Sequence, residues 1–142
     1  MGTRLSAVTI HSIEDYPLLV PGADGSLDIP AVGRITPDQV AGEVRWLGRS
    51  DKDGPWVYVN YFPRGHVVPF HFPDANRSEL LMAGAILWRE PGKEPISYEA
   101  PAFSFVEARN TYGYDVLEDA EILVQFDGPP MLNWESKRRR QL

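Results

Sequence analysis

The sequence contains no cysteine among its 142 residues. Disulfide bonds, thiolate metal sites and cysteine nucleophiles are therefore excluded. The absence suits a cytoplasmic protein, because structural disulfides belong to oxidising compartments. No run approaches the roughly 18 consecutive apolar residues that a membrane-spanning helix needs. The short N-terminal apolar run has an acidic pair close behind it, which makes it a poor signal peptide. We expect no membrane partner.

The chain also lacks an excess of positive charge. Its formal net charge is −6, and a negative protein is not drawn to the phosphate backbone, so we expect no nucleic-acid partner. The one basic run is SKRRRQL, residues 136–142. Such charge runs are most often solvated, and contact with an anionic partner is the alternative interpretation.

What the chain has in quantity is turn residues and short β-prone segments. Thirteen prolines and twelve glycines leave little room for long helices. Between them lie segments rich in Val, Ile, Tyr, Phe and Trp: WVYVNYF (56–62), ELLMAGAILW (79–88), AFSFVEA (102–108), YGYDVL (112–117) and EILVQF (121–126). The segment 79–88 is either two strands or one strand bent at Gly84. Short strands between turn signals predict an all-β sandwich or barrel, and the length suits one domain.

The segment PRGHVVPFHFPDANRSELLMAG carries a family resemblance. Gly65, His71 and Gly84 have the spacing of the first, second and last positions of Gly-x5-His-x-His-x3-Glu-x6-Gly, the first motif of the cupin superfamily of jelly-roll barrels. The wider pattern resembles the cupins related to dihydroxyacetophenone and acetylacetone dioxygenases and to the ChrR regulatory cupin. The resemblance implies a single cupin domain with its core at 40–127, an N-terminal extension at 1–39 and a basic tail at 128–142.

The chain departs from the family's metal ligands, which are usually three histidines and a glutamate. Pro73 stands at the second histidine position and Arg77 at the glutamate position. Glu79 lies two residues further, and since strand side chains alternate, it shares a face with position 77 in an extended segment. Glu79 is therefore a possible substitute carboxylate, although an outward orientation of Arg77 and Glu79 is equally open.

The second cupin motif is matched only in its spacing. In EARNTYGYDV, Glu107 stands for the family's proline, Arg109 for its glycine and Tyr112 for its ligand histidine. A tyrosine can ligate iron or act as an acid or base, and it can equally fill the barrel. The chain has only three histidines, and His11 lies outside the motif region. Three histidines therefore cannot occupy the family positions.

Three functions remain open. The first, which we favour, is an enzyme with a degenerate metal site that moves protons next to a carbonyl group, as an isomerase, cyclase, dehydratase or lyase. His71, Tyr112, Glu79 and Arg109 are its predicted catalytic residues. Arg77, Glu107, Tyr58, Asn60 and Tyr114 are the predicted substrate-binding residues.

The second function is a non-haem metal dioxygenase with a rebuilt ligand set that includes His71 and Glu79. Its cofactor would be a divalent ion of iron, manganese, nickel or zinc, whereas the first function needs none. The third is a non-catalytic ligand-binding or sensor module, because the cupin barrel serves many functions. In each case we expect a small-molecule ligand, and the resemblance implies a homodimer.

Overall fold

The structure of the chain, a computed structural model, describes residues 10–30, 32–37, 39, 42–48 and 54–134. The described part is built almost entirely from strands, as the sequence predicts. They are β1 (Leu18–Leu19), β2 (Leu27–Ile29), β3 (Gly33–Ile35), β4 (Glu43–Trp46), β5 (Trp56–Phe62), β6 (Val67–Pro73), β7 (Arg77–Arg89), β8 (Ile96–Glu99), β9 (Ala102–Val106), β10 (Tyr112–Phe126) and β11 (Leu132–Trp134). A 3-10 turn spans Ile13–Asp15. Within these ranges there is no helix that is long and apolar enough to cross a membrane.

The strands form one curled antiparallel sheet and a separate hairpin. The order β1-β4-β5-β10-β6-β11 makes the main path, and β7 pairs with β10, β8 and β9. The long strand β10 pairs with β5 through its second half and with β6 through its first half. One strand therefore belongs to both walls of the barrel, and the sheet must curl around its own inner face. The all-β barrel prediction is confirmed.

Gly84 is the point at which β7 bends. Its φ of 88° lies in the left-handed region, and a Cβ there would collide with the backbone carbonyl of Asp119. The register between β7 and β10 shifts across this point, since Ala85 pairs with Glu118 and Ala83 with Glu121. Only glycine combines that conformation with such a close approach. Of the two predicted alternatives for this segment, one long bent strand is correct.

The register aligns polar side chains across the inner face. Residues that oppose each other directly in adjacent strands place their side chains on the same face. Val124 on β10 opposes Tyr58 on β5 and Glu79 on β7, and Glu79 in turn opposes Ser104 on β9. These four side chains therefore form one row. The alternation expected from the sequence places Arg77 on the same buried face as Glu79.

Segments near both ends of the described chain cover the barrel. The β2–β3 hairpin buries Leu27, Ile29 and Ile35. Strand β11 pairs with β6 and sets Trp134 opposite His71. Parts of the predicted N-terminal extension and C-terminal tail are thus strands packed on the core. The basic run at 136–142 lies outside the described residues.

Candidate functional site

Most of the predicted site residues are buried in the barrel. Seven of the nine predicted site residues are exposed by 4% or less: Tyr58, Asn60, His71, Arg77, Glu79, Tyr112 and Tyr114. Charged and amide side chains are rarely buried unless they are paired. The clustering of so many polar side chains in one interior therefore marks the candidate site.

Arg77 and Glu79 form an ion pair at the centre of this group. Nη2 of Arg77 lies 3.1 Å from Oε1 of Glu79. The guanidinium carbon also lies 5.2 Å from the ring centroid of Tyr112 and 5.3 Å from that of Phe126, within the range of cation–π attraction. Burial is the largest single influence and disfavours the charged guanidinium, but the Glu79 carboxylate together with Tyr112, Tyr58 and Tyr114 outweighs it, and the pKa of Arg77 is raised. Arg77 is therefore a permanent positive charge in the interior.

His71 is held in one orientation and one tautomer. Its Nδ1 lies 2.8 Å from the backbone oxygen of Pro69, and since a carbonyl oxygen only accepts, Nδ1 carries the proton and donates. Burial, followed by the charge of Arg77, lowers the pKa of His71 to about 3. The ring is therefore neutral, and its Nε2 has a free lone pair. The centroid of the His71 ring lies 4.6 Å from that of the Tyr112 ring and 4.5 Å from that of the Trp134 ring.

The three buried tyrosines are held in their protonated form. Burial raises the pKa of Tyr58 to about 12, and it raises the pKa values of Tyr112 and Tyr114 well above their usual value. The Tyr112 ring stacks on Trp88 at a centroid distance of 4.7 Å and an interplanar angle of 7°. The phenols can therefore donate hydrogen bonds to a developing anion without ionising themselves.

Four buried polar atoms in the described part of the chain have no hydrogen-bond partner. They are Oδ1 of Asn60, Nε of Arg77, Oε2 of Glu79 and the hydroxyl of Tyr112. Leaving such a group unpaired costs on the order of 1–3 kcal/mol, and unpaired groups need an explanation. All four belong to predicted site residues, and they include both members of the ion pair. Unpaired groups collected in one place are typical of a site that binds a ligand.

The interior beside Arg77 holds a small cavity of about 20 Å³. Tyr58, Asn60, His71 and Arg77 line it, together with Trp134 from β11. A water molecule needs roughly 10–15 Å³ of such volume, so the cavity suits a water or a single small substituent. Ile29 and Ile35 of the hairpin and Leu132 of β11 also line it.

Two predicted site residues lie outside the buried group. The Arg109 side chain is 73% exposed and 3.9 Å from Asp74, and Glu107 is also exposed. Both lie in the turn between β9 and β10, where Arg109 has a φ of 69°. The strand begins only at Tyr112, so of the three positions matched to the second motif only Tyr112 faces inward. Arg109, predicted as a catalytic residue, and Glu107, predicted as a substrate-binding residue, therefore lie outside the barrel interior.

The interior side chains do not make a set of metal ligands. Among the described residues there is no group of three or more His, Cys, Asp or Glu side chains that could hold a metal ion. His71 and Glu79 are buried, but the Glu79 carboxylate pairs with Arg77, which places a positive charge where a cation would bind. The residues present therefore do not fit a three-ligand cupin metal centre.

Sequence reasoning missed two side chains that contact the site. Trp134 covers the His71 ring, although its segment was assigned to the basic tail. The available signal was the group of apolar residues Met131, Leu132 and Trp134, which follows the paired prolines 129 and 130. Trp88, in the predicted segment 79–88, was not named as a site residue either, and it stacks on Tyr112.

Comparison with known proteins identifies the architecture. No protein-family model matches the sequence, and no curated protein is significantly similar to it. Three solved structures superpose well. A protein proposed to be an acetylacetone dioxygenase from Methylibium petroleiphilum gives a TM-score of 0.63 at 16% identity, covering 97% of this chain and 88% of the other. The polyketide cyclase RemF from Streptomyces resistomycificus gives 0.62 at 11% identity, covering 94% and 89%. A cupin-like protein from Thermotoga maritima gives 0.56 at 16% identity, covering 70% and 81%.

Proposed function

Because this chain has the cupin fold, with a polar cluster inside the barrel, we propose that it is a small-molecule enzyme. In this proposal it moves protons next to a carbonyl group, as an isomerase, cyclase, dehydratase or lyase, and it needs no resident metal. The observation that carries the proposal is the buried Arg77–Glu79 pair beside Tyr112, with an unpaired polar atom on each of the three residues.

Each charge has a role that its surroundings suit. Oε1 of Glu79 is engaged by Arg77, while Oε2 is unpaired and can accept a proton. Arg77 is a fixed positive charge that stabilises an oxyanion, the kind of preorganised electrostatic term that dominates many enzyme rate enhancements. The protonated Tyr112 hydroxyl donates a hydrogen bond to the same oxyanion.

The step itself balances without a co-reactant. A proton leaves the carbon next to the carbonyl and binds Oε2 of Glu79, and the C–H electron pair becomes the C=C bond of an enolate. The carbonyl oxygen takes up the negative charge, facing Arg77 and Tyr112. Return of the proton to a different atom gives isomerisation, whereas loss of a leaving group from the enolate gives elimination.

His71 takes a more limited role than the sequence alone allows. With its pKa lowered to about 3, the ring carries no second proton to give, so His71 does not act as a general acid. Its neutral Nε2 accepts a hydrogen bond. Tyr58, Asn60 and Tyr114 are positioning or binding residues in the same interior, and the exposed Arg109 and Glu107 have no part in the step.

Exchange of carbon-bound hydrogen tests the proposal directly. A panel of aryl and cyclic ketones is incubated with the protein in D₂O, and loss of the α-hydrogen signal is followed by NMR. We expect exchange to fall by about 10²–10³-fold in Tyr112→Phe, the scale for losing one oxyanion donor, and to be unchanged in Arg109→Ala. Exchange no faster than in buffer for every ketone would contradict the proposal.

The two other functions give different results in two further measurements. Stoichiometric iron, manganese, nickel or zinc in untagged protein, lost in His71→Ala, would replace the proposal with metal-dependent oxygenase chemistry. A ligand that raises the melting temperature without any turnover would favour a binding or sensor module.

Cytoplasmic location and a homodimer remain expectations within the proposal. The exposed apolar side chains of β8 and β9 are those of Ile96, Tyr98, Phe103 and Phe105, a surface open to a small molecule or to a second copy. Exposed apolar patches of this kind often mark interfaces. Light scattering of the purified chain distinguishes monomer from dimer.

A further inference from the structure

A second and larger pocket lies beside the ion pair. Its volume is about 300 Å³, at the lower end of the range for small-molecule sites. It lies against β7, β8 and β9, and its lining residues are Glu79, Leu81, Ile86, Trp88, Glu90, Tyr98, Ala102, Phe103, Ser104 and Phe105. The Arg77–Glu79 pair therefore contacts both spaces, since Arg77 lines the interior cavity and Glu79 lines this pocket.

Glu79 gives this pocket a buried hydrogen-bond acceptor. The residue is 4% exposed, its Oε1 is bound by Arg77, and its Oε2 is unpaired. Ser104 opposes Glu79 in the β7–β9 ladder and lines the same pocket. A hydroxyl group that reached this point could donate to Oε2 and accept from the serine hydroxyl.

The walls favour a flat and uncharged molecule. Trp88, Tyr98, Phe103 and Phe105 supply aromatic surface, and Phe103 and Phe105 are 68% and 58% exposed. The rim carboxylate of Glu90 accepts from Nε1 of Trp88 at 3.2 Å and pairs with Lys93 at 3.3 Å. Among the described lining residues there is no lysine or arginine, and the two lining carboxylates are already paired with Arg77 and Lys93, so the lining offers a ligand carboxylate no cationic partner.

We infer that this pocket binds the substrate, and that the substrate is an uncharged planar compound whose phenolic or enolic hydroxyl donates to Oε2 of Glu79. The inference rests on the proposed function, in which that oxygen accepts the carbon-bound proton; transfer of the same proton to the enolate oxygen leaves an enol whose hydroxyl donates to Oε2. The interior cavity of about 20 Å³ has no room for such a molecule, whereas this pocket admits one or two fused rings next to the same carboxylate.

Calorimetric titration with three matched probes tests the inference on the full chain. The probes are 2-naphthol, 2-methoxynaphthalene, which cannot donate, and 2-naphthoate, which is an anion. A hydrogen bond to a charged group predicts that 2-naphthol binds at least tenfold more tightly than the methyl ether. The carboxylate should also bind at least tenfold more weakly than 2-naphthol. Equal affinities for the naphthol and its methyl ether would overturn the role of Glu79.

Two matched variants locate the binding without changing the charges. Ala102→Leu adds bulk inside the pocket, and Ala83→Leu makes the same change on β7 at a residue that does not line it. We expect the first to weaken 2-naphthol binding at least tenfold and the second to leave it unchanged, with unfolding curves showing that both are folded. Equal affinity in both variants, or no binding by the unmodified protein, would place the ligand elsewhere and overturn the inference.

The failure of this inference is distinguishable from failure of the proposed function. If ketone exchange depends on Tyr112 but naphthol does not bind, the chemistry stands and the pocket assignment falls. If naphthol binds with the predicted preferences but no ketone exchanges, the pocket stands as a ligand site and the catalytic proposal falls. If neither occurs and the protein is a dimer that Phe105→Asp dissociates, a second copy covers the pocket.

Discussion

Removing one charge of the buried pair should destabilise the protein far more than removing both. The two charged atoms are 3.1 Å apart, with side chains 3% and 4% exposed. At an effective dielectric constant of about 20, Coulomb's law gives an attraction of about 5 kcal/mol at that distance. In Glu79→Gln the Arg77 guanidinium remains buried without its counter-charge, so we expect unfolding free energy to fall by about 3–5 kcal/mol.

The matched control replaces both members by methionine, as Arg77→Met with Glu79→Met. Because well-packed apolar residues avoid the desolvation of both ions, this double variant should be neutral or up to about 4 kcal/mol more stable than the unmodified protein. Urea unfolding followed by tryptophan fluorescence and by circular dichroism measures both differences, provided that the two signals coincide. A loss below about 1 kcal/mol in Glu79→Gln would show that water reaches the pair, and a double variant as unstable as the single one would refute the electrostatic reasoning.

Three other changes give independent checks. The pKa of His71 is lowered to about 3 in the folded protein, from about 6.5 in the unfolded chain. Between these two pH values only the unfolded state binds the proton, so the free energy of unfolding should decrease by up to about 1.4 kcal/mol for each unit by which the pH is lowered. His71→Asn should give a shallower slope than the unmodified protein between about pH 6.5 and 5 in urea titrations at each pH, and equal slopes would exclude a buried neutral ring. Gly84→Ala should cost several kcal/mol because its Cβ meets a backbone carbonyl, whereas Gly65→Ala, also at positive φ but with open space around it, should cost only about 1–2 kcal/mol. Equal losses would refute the close approach. Arg109→Ala, at a side chain 73% exposed, should change neither stability nor ketone exchange by a measurable amount, and a clear loss of exchange would return it to the site.

The sequence was sufficient for the fold and for the strand-borne part of the site. Alternating apolar residues and frequent turn signals predict the barrel, and Gly65, His71 and Gly84 carry the cupin spacing. The period of two along a strand also puts Glu79 on the face of position 77. These features are local, so they can be read without tertiary information.

The rest of the site depends on where strands begin and on which distant segments meet. Motif spacing assigned Arg109 to the site, but the position lies in a turn and its side chain points to solvent. Trp134 reaches His71 only because β11 pairs with β6, across some sixty residues of sequence. Neither a turn's side-chain direction nor a pairing between short and distant strands is encoded in a local pattern.

The guanidinium of Arg77 makes the interior positive charge part of the polypeptide. A chelator cannot extract it, a shortage of metal cannot empty it, and oxidation cannot change its valence. It also constrains sequence change: a carboxylate at position 77, as the cupin motif has it, would set two negative groups side by side, because Glu79 lies on the same face. Either residue is therefore free to change sign only together with the other.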